Sequence, residues 1–308
     1  MATILITHGI PIDGLQALSA HKILIPAPLT AFSEEELLRL IPEADAVIAG
    51  GKLPGHIIRA GKSLKIIANY GAGYDGVDIA AARECGVPVT NIPDTVTQST
   101  AELAIALILS VSRRIGELNL KLRREPSENL FGMGLNMGRT LAGQTLGVIG
   151  CGRIGRRVTE LAQALGMQVI CHDPALPASM PLPQLLRTAD IISLHCPLTE
   201  NTHHLMNTSA FAQMKHGALL INTARGGVMD YDALEAALDN GTLSGAGLDV
   251  YPDEPHIPQA LLARDNVVCT PHIGANTMQT RRNMAAACAR QILDALSGKL
   301  PENIVNGL

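Results

Sequence analysis

The sequence predicts an α/β fold with two doubly wound parallel sheets. Three observations predict it. Short runs rich in Val and Ile alternate with helix-length segments along the chain, the alternation halts near position 98 and later restarts, and 308 residues exceed what one hydrophobic core usually serves.

The first series of apolar runs is ILIT (4–7), KILI (22–25), AVIAG (46–50), LKIIANYG (64–71) and VPVTN (87–91). Amphipathic segments such as SEEELLRLI and PGHIIRAG separate them. Strands joined through helices need crossover connections, so the sheet is parallel and covered on both faces. From Thr100, Ala101 and Glu102 a long helix is predicted through Ile115, followed by a polar, Gly-rich connector to Arg139. The second series is TLGVIG (145–150), QVICHD (168–173), DIISLHCP (190–197), ALLINTA (218–224), GAGLDV (245–250) and NVVCTPH (266–272). The helix at 277–296 has no strand partner in this series and is expected to pack back on the first domain, making that domain discontinuous. The expected division is 1–98, 99–282 and a returning segment, 283–308.

Composition narrows the function. A net charge of -4 gives no footprint for nucleic acid, and three Phe with four Tyr cannot build stacking platforms. The pairs Arg113-Arg114, Arg123-Arg124 and Arg156-Arg157 read as solvated helix faces or ends. No apolar run approaches the ~20 residues of a membrane span. The start, MATILITHG, reads as a first strand rather than an export signal, so the expectation is a cytoplasmic protein bound to neither nucleic acid nor membrane. Six cysteines stand singly, without metal-ligand spacing; free buried thiols and no metal are expected.

The sharpest motif is TLGVIGCGRIGRRVTELAQALG, in which a strand runs into Gly150, Gly152 and Gly155 and a helix comes at once. This is the Rossmann arrangement: glycines for the tight turn, for approach to a pyrophosphate and for helix packing, with the helix N-terminus facing the anion. Arg153 and Ile154 open that helix, and the next strand ends in His172 and Asp173, about 20 residues on, where an acid meets the adenosine ribose. A carboxylate there repels a 2'-phosphate, and no Arg comes directly after it, so NAD is preferred over NADP.

Three ionisable residues stand just beyond later strands: Arg225 in NTARGG, Glu254 in LDVYPDEP and His272 in TPHIGA. The carboxyl edge of a parallel sheet is where ligands bind. Reduction of a 2-keto acid needs a cation to hold the carboxylate and polarise the ketone, a general acid for the nascent alkoxide, and a group to tune that acid. Arg225, His272 and Glu254 supply them respectively. Taken singly, a surface ion pair, a helix cap and a loop acid would explain them as well.

The series NYGAGYDGVD (69–78), TAELAIAL, TLGVIGCGRIG, SLHCPLTENT (193–202), INTARGG (221–227), LDVYPDEP and TPHIGA resembles the D-isomer-specific 2-hydroxyacid dehydrogenases over nearly the whole chain. The resemblance implies a flavodoxin-like substrate domain beside a Rossmann NAD-binding domain, and hydride transfer between NAD(H) and a small 2-hydroxy or 2-keto acid. It implies that Arg225, Glu254 and His272 are the catalytic set. By the same likeness Asn69, Ala72 and Gly73 meet the substrate, His195, Cys196, Pro197 and Thr202 line the adenine and ribose side, and Thr223, Ala224, Asp249 and Gly274 join Arg225 and His272 at the nicotinamide. A homodimer is also implied.

On substrate, the chain shows Ile48-Ala49 and Asn69 where phosphoglycerate dehydrogenases of this family carry phosphate-binding Arg and Ser residues. A glyoxylate or hydroxypyruvate type of reductase is therefore expected. Phosphoglycerate dehydrogenase without a regulatory domain is the alternative, and an NAD-sensing, co-repressor-like binding protein is the alternative from another class.

Overall fold

Each of the eleven apolar runs carries a strand, and the strands form two parallel sheets in a computed structural model that describes residues 1–125 and 130–308. The first sheet contains β1 (Thr3–Ile6), β2 (Lys22–Leu24), β3 (Ala46–Ala49), β4 (Ile66–Asn69) and β5 (Val89–Thr90), in the order β2-β1-β3-β4-β5. The second contains β6 (Thr145–Ile149), β7 (Gln168–His172), β8 (Ile191–Leu194), β9 (Ala218–Asn222), β10 (Leu243–Leu248) and β11 (Val267–Cys269), in the order β11-β10-β9-β8-β6-β7. Each chain path starts in the interior of its sheet, steps outward one way, then reverses to fill the other side. The reversals fall between β1 and β3 and between β6 and β8.

The alternation of side chains along a strand buries both faces of the first sheet. Ile4, Ile6, Ile48 and Ile66 join one core, while Leu5, Val47, Ile67 and Val89 join the other. The second is covered by helices α1 (Glu34–Leu40), α2 (Gly55–Ala60) and α3 (Ile79–Glu84), through Leu37, Ile57, Ile58 and Ala82. Ser33 starts α1 with a capping box, its hydroxyl accepting from Glu36 N (3.2 Å) while Glu36 accepts from Ser33 N (2.8 Å). The C-terminal helix (Met278–Leu296), capped by Thr277, covers the other face through Met284, Ala285, Cys288, Ala289 and Ile292. The two compact units are thus 1–96 with 275–308, and 97–274. The whole returning helix belongs to the first unit, so the division falls at 274/275 rather than at the expected 282/283.

In the second unit α4 (Thr97–Ser112) and α6 (Arg153–Ala164) cover one face of the sheet, and α7 (Leu182–Thr188), α8 (Thr208–Phe211), α9 (Tyr231–Asp239) and α10 (Gln259–Leu262) cover the other. Between α4 and α6 lies α5 (Ile115–Arg124), which corrects the expectation of one helix through Ile115 and then a connector. The break is Arg114, whose φ of 56° is left-handed, with its Nε bonded to Glu117 Oε2 at 2.8 Å. Part of the expected connector, 126–129, lies outside the described residues. The arginine pairs are also more engaged than expected: Arg156 Nε donates to Cys151 O (3.0 Å) and Arg157 Nε to Gln98 Oε1 (2.7 Å). The expectation of six free thiols is corrected as well. Cys151 and Cys171 form a disulfide, because strand register sets Cys171 opposite Val148 and brings Cys151, just past the end of β6, beside β7.

Candidate active site

The dinucleotide loop sits at the reversal between β6 and β8, the place where doubly wound sheets bind ligands. Gly150 has φ of 92°, and a Cβ there would stand 2.5 Å from Cys196 N, so only glycine lets β6 pass the end of β8. A Cβ on Gly155 would run into Gly150 O, which fixes the close packing of α6 on the loop. Gly152, the N-cap of α6, makes no side-chain cap bond, and a Cβ there would meet nothing within 4 Å. The helix therefore opens on an uncapped terminus with room beside it, which suits a pyrophosphate.

Asp173 stands beside this loop. Its Oδ2 accepts from Cys151 N (2.8 Å) and its Oδ1 from Ala175 N (3.0 Å), so the carboxylate braces the loop and keeps lone pairs for a ribose hydroxyl. His172 turns its Nδ1 to Met180 O at 2.9 Å. At the end of β8, His195 Nε2 meets Ser193 Oγ (2.8 Å), whereas the buried Nδ1 has no partner among the described residues; burial pushes the imidazole down to about 4 and keeps it neutral. Cys196 is buried, with its thiol pushed up to about 11 by that burial, so it packs rather than reacts. Thr202 organises the next turn, its hydroxyl donating to Pro197 O (2.6 Å) and accepting from Thr199 N (2.8 Å). Past β9, Thr223 Oγ1 is buried beside the buried Ala224 and has no partner among the described residues. Two orphaned polar atoms at the carboxyl edge, with the open helix terminus, fit a bound dinucleotide.

The three ionisable residues come after three neighbouring strands, β9, β10 and β11. Arg225 leaves β9 on a turn held by the buried Asn222, whose Nδ2 donates to Arg225 O (3.0 Å) and whose Oδ1 accepts from Ala224 N (3.0 Å). Arg225 Nη1 donates to Ala224 O at 2.7 Å. His272 and Glu254 come together, Nδ1 to Oε2 at 2.7 Å, while Glu254 Oε1 accepts from Tyr251 N at 3.0 Å. The carboxylate is thus fixed by backbone, and the imidazole is fixed by the carboxylate.

His272 adopts a φ of 51°, uncommon outside glycine. Asp249, 1% exposed, holds it there. Asp249 Oδ1 accepts from Thr270 Oγ1 (2.6 Å) and Ile273 N (2.8 Å), Oδ2 accepts from Gly274 N (2.9 Å), and Asp249 O accepts from His272 N (3.0 Å). Asp249 and Gly274 are thereby placed as the anchor of the His272 loop.

In the first unit Asn69, at the end of β4, spends both amide protons on Gly71 O (3.0 Å) and Gly73 O (2.9 Å), and Asn91 Nδ2 holds Ala72 O (2.7 Å). The N–H groups of Ala72 and Gly73 find no acceptor among the described residues. Asn69 shapes this loop, and the loop offers two donors.

Comparison with known proteins decides the family. The profile described as D-isomer specific 2-hydroxyacid dehydrogenase, NAD binding domain, matches residues 105–274. The chain is 40% identical to a hydroxypyruvate reductase of Thermotoga maritima over 274 residues, covering 85% of this chain and 88% of that one. It belongs to the D-isomer-specific 2-hydroxyacid dehydrogenases. It is also 37% identical to a D-3-phosphoglycerate dehydrogenase of Methanocaldococcus jannaschii, covering 99% of this chain but 60% of that longer protein. A crystal structure of the NADPH-dependent glyoxylate/hydroxypyruvate reductase of Sinorhizobium meliloti, with NADP and malonate, superposes with a TM-score of 0.86 at 30% identity, covering 99% of this chain and 96% of that one.

This dehydrogenase is therefore an NAD-dependent enzyme that moves a hydride between NAD(H) and a 2-hydroxy or 2-keto acid. Sequence reasoning names its three ionisable residues but misses the buried polar groups that hold them. Asn222 stands inside INTARGG, and Asp249 enters only as a nicotinamide contact. The signal was an amide or acid at the last position of an otherwise apolar strand or just past it, where a side chain can tie down the next turn.

Proposed function

We propose that the enzyme reduces glyoxylate, hydroxypyruvate or a related 2-keto acid with NADH, with His272 as general acid. The 2.7 Å pair between His272 and Glu254 at the β10/β11 edge carries this reading. Nicotinamide supplies the hydride. Arg225 binds the substrate carboxylate and polarises the ketone, and the N–H groups of Ala72 and Gly73 are the neutral donors that the first unit offers to substrate. With Nδ1 committed to Glu254, the His272 proton that reaches the alkoxide leaves from Nε2. Asp173 selects NADH by repelling a 2'-phosphate, and Asp173→Ala is expected to narrow the ratio of kcat/KM for NADH over NADPH. A native enzyme faster with NADPH would contradict this role.

We further propose a cytoplasmic homodimer that uses neither membrane nor nucleic acid. Exposed apolar side chains at Ile115, Leu120, Leu122, Phe131, Met133 and Met137 support a surface that a second copy covers. No helix among the described residues is long and apolar enough to cross a membrane. NADH oxidation against glyoxylate, hydroxypyruvate, pyruvate and 3-phosphohydroxypyruvate tests the assignment. Turnover dominated by the phosphorylated substrate would replace it with phosphoglycerate dehydrogenase.

A further inference from the structure

The bond between Cys151 and Cys171 lies wholly inside the second unit, at the cofactor loop itself. Cys151 stands between Gly150 and Gly152 at the turn from β6 into α6, and Cys171 stands on β7, two residues before Asp173. Their Cα atoms are 6.6 Å apart, inside the usual reach of the bond. Cys151 is 5% exposed and shares a core with Val148 of β6 and with Val158 and Ala162 of α6. It therefore sits on the core side of the loop.

Three hydrogen bonds also hold the loop. Gly150 N donates to His172 O (2.8 Å), Cys151 N to Asp173 Oδ2 (2.8 Å), and Arg156 Nε to Cys151 O (3.0 Å). The second of them ends on the carboxylate that a ribose hydroxyl of the dinucleotide also needs, whereas no ligand group competes for the disulfide. A residue flanked by two glycines has much backbone freedom to lose, and a covalent staple removes that freedom before the ligand arrives.

The two sulfurs differ in access. β7 is the edge strand beside β6, and Cys171 on it is partly exposed whereas Cys151 is buried. A small thiolate therefore reaches Cys171 first. Burial pushes the thiols of Cys196, Cys269 and Cys288 up, which makes them poor nucleophiles, and the exposed Cys85 belongs to the other unit.

We propose that Cys151 and Cys171 form a reversible thiol–disulfide site that sets the affinity for NADH, tight when the loop is stapled to β7 and weaker when the bond is reduced. This rests on the reading of the β6–α6 loop as the dinucleotide site. The partner is a low-molecular-weight thiol–disulfide couple of the glutathione type. One small thiolate attacks the Cys171 sulfur, the protein disulfide breaks, and Cys151 leaves as a thiolate that takes up a proton. A second small thiolate attacks the small molecule's sulfur in the mixed disulfide and expels Cys171, which is protonated in turn. The protein gains two electrons and two protons while two small thiols become one small disulfide, and oxidation runs the same steps backwards. A bond that opens and closes suits the cytoplasmic setting proposed above, where lasting disulfides are rare.

The test uses the whole enzyme in a Cys85→Ser background, which removes the exposed thiol, equilibrated over a series of ratios of reduced to oxidised glutathione. At each ratio free thiols are counted in guanidinium and NADH affinity is read by fluorescence titration. Oxidised enzyme is expected to show two fewer free thiols and a Kd lower by roughly threefold to tenfold, both changing at the same ratio. Cys171→Ala should hold the weaker Kd at every ratio. Equal thiol counts across the series, or a Kd that is the same or lower after reduction, would overturn the proposal. Loss of helical circular dichroism alongside the change in Kd would overturn it too, since the bond would then staple the fold alone. Should Cys171→Ala fail to fold, the glutathione series without it decides on the same criteria. An enzyme that binds no NADH in either state would instead remove the reading of the loop, and this inference with it.

Discussion

His272 illustrates how this enzyme places one imidazole. Three constraints converge on it: a carboxylate at 2.7 Å, a left-handed backbone, and a buried aspartate that takes up the amides of the next two residues. Removing the ring removes the proton donor and leaves the dinucleotide loop untouched. His272→Ala is expected to lower kcat by roughly 10²- to 10⁴-fold with the dissociation constant for NADH unchanged, which stopped-flow turnover and fluorescence titration check together. Glu254→Ala should lower kcat by less than His272→Ala does, since it frees the ring of the acid and leaves the acid itself in place. Asp249→Asn offers a contrasting outcome. An amide group in place of one oxygen turns a donor toward a donor, so about 1–3 kcal/mol of stability should go, visible in urea melts, along with part of kcat. Unaltered stability in that variant would show that the His272 loop does not depend on Asp249.

Among the elements, the C-terminal helix has the most consequence for how the sequence is divided. Its apolar positions Met284, Ala285, Cys288, Ala289 and Ile292 fall at helical spacing and complete the core over Ile4, Ile6, Ile48 and Ile66. The first unit is therefore assembled from both ends of the chain, and its stability should respond to a change near residue 292 as to one in β1. Ile292→Ala deletes a fully buried side chain and is expected to cost about 2–5 kcal/mol. Hydrogen exchange should then quicken in β1, β3 and β4 while the NAD-binding strands keep their protection. Each strand ends before the apolar run that announced it does. AVIAG and LKIIANYG end as strands at Ala49 and Asn69, and the remaining residues of each run become loop: Gly50 beside His8, and the start of the donor-bearing turn at 70–73.

At the scale of the whole molecule, two units with separate cores place the cofactor machinery on one and the loop of Ala72 and Gly73 on the other. Ligand that binds only folded protein stabilises it by mass action, so NADH at 100 times its dissociation constant should add about 2.7 kcal/mol to the unit that holds it. Scanning calorimetry with and without NADH checks this; the gain should shrink in Asp173→Ala. Sedimentation of the native enzyme tests the dimer, and a monomer at micromolar concentration would leave the apolar side chains of α5 needing another explanation.

Periodicity and punctuation, which are local, determined much of this protein from sequence alone: eleven strands, the glycine loop with its acid about 20 residues on, and three ionisable residues each placed after a strand. Tertiary structure decided what depends on neighbours far along the chain. It set the strand order, the break at Arg114, the joining of Cys151 to Cys171, and the roles of Asn69, Asn222 and Asp249 in holding loops. A hydrogen bond between residues 18 positions apart, such as that of Glu254 to His272, leaves no trace in local pattern. It exists only because β10 and β11 lie side by side and the loops after them end at the same edge of the sheet.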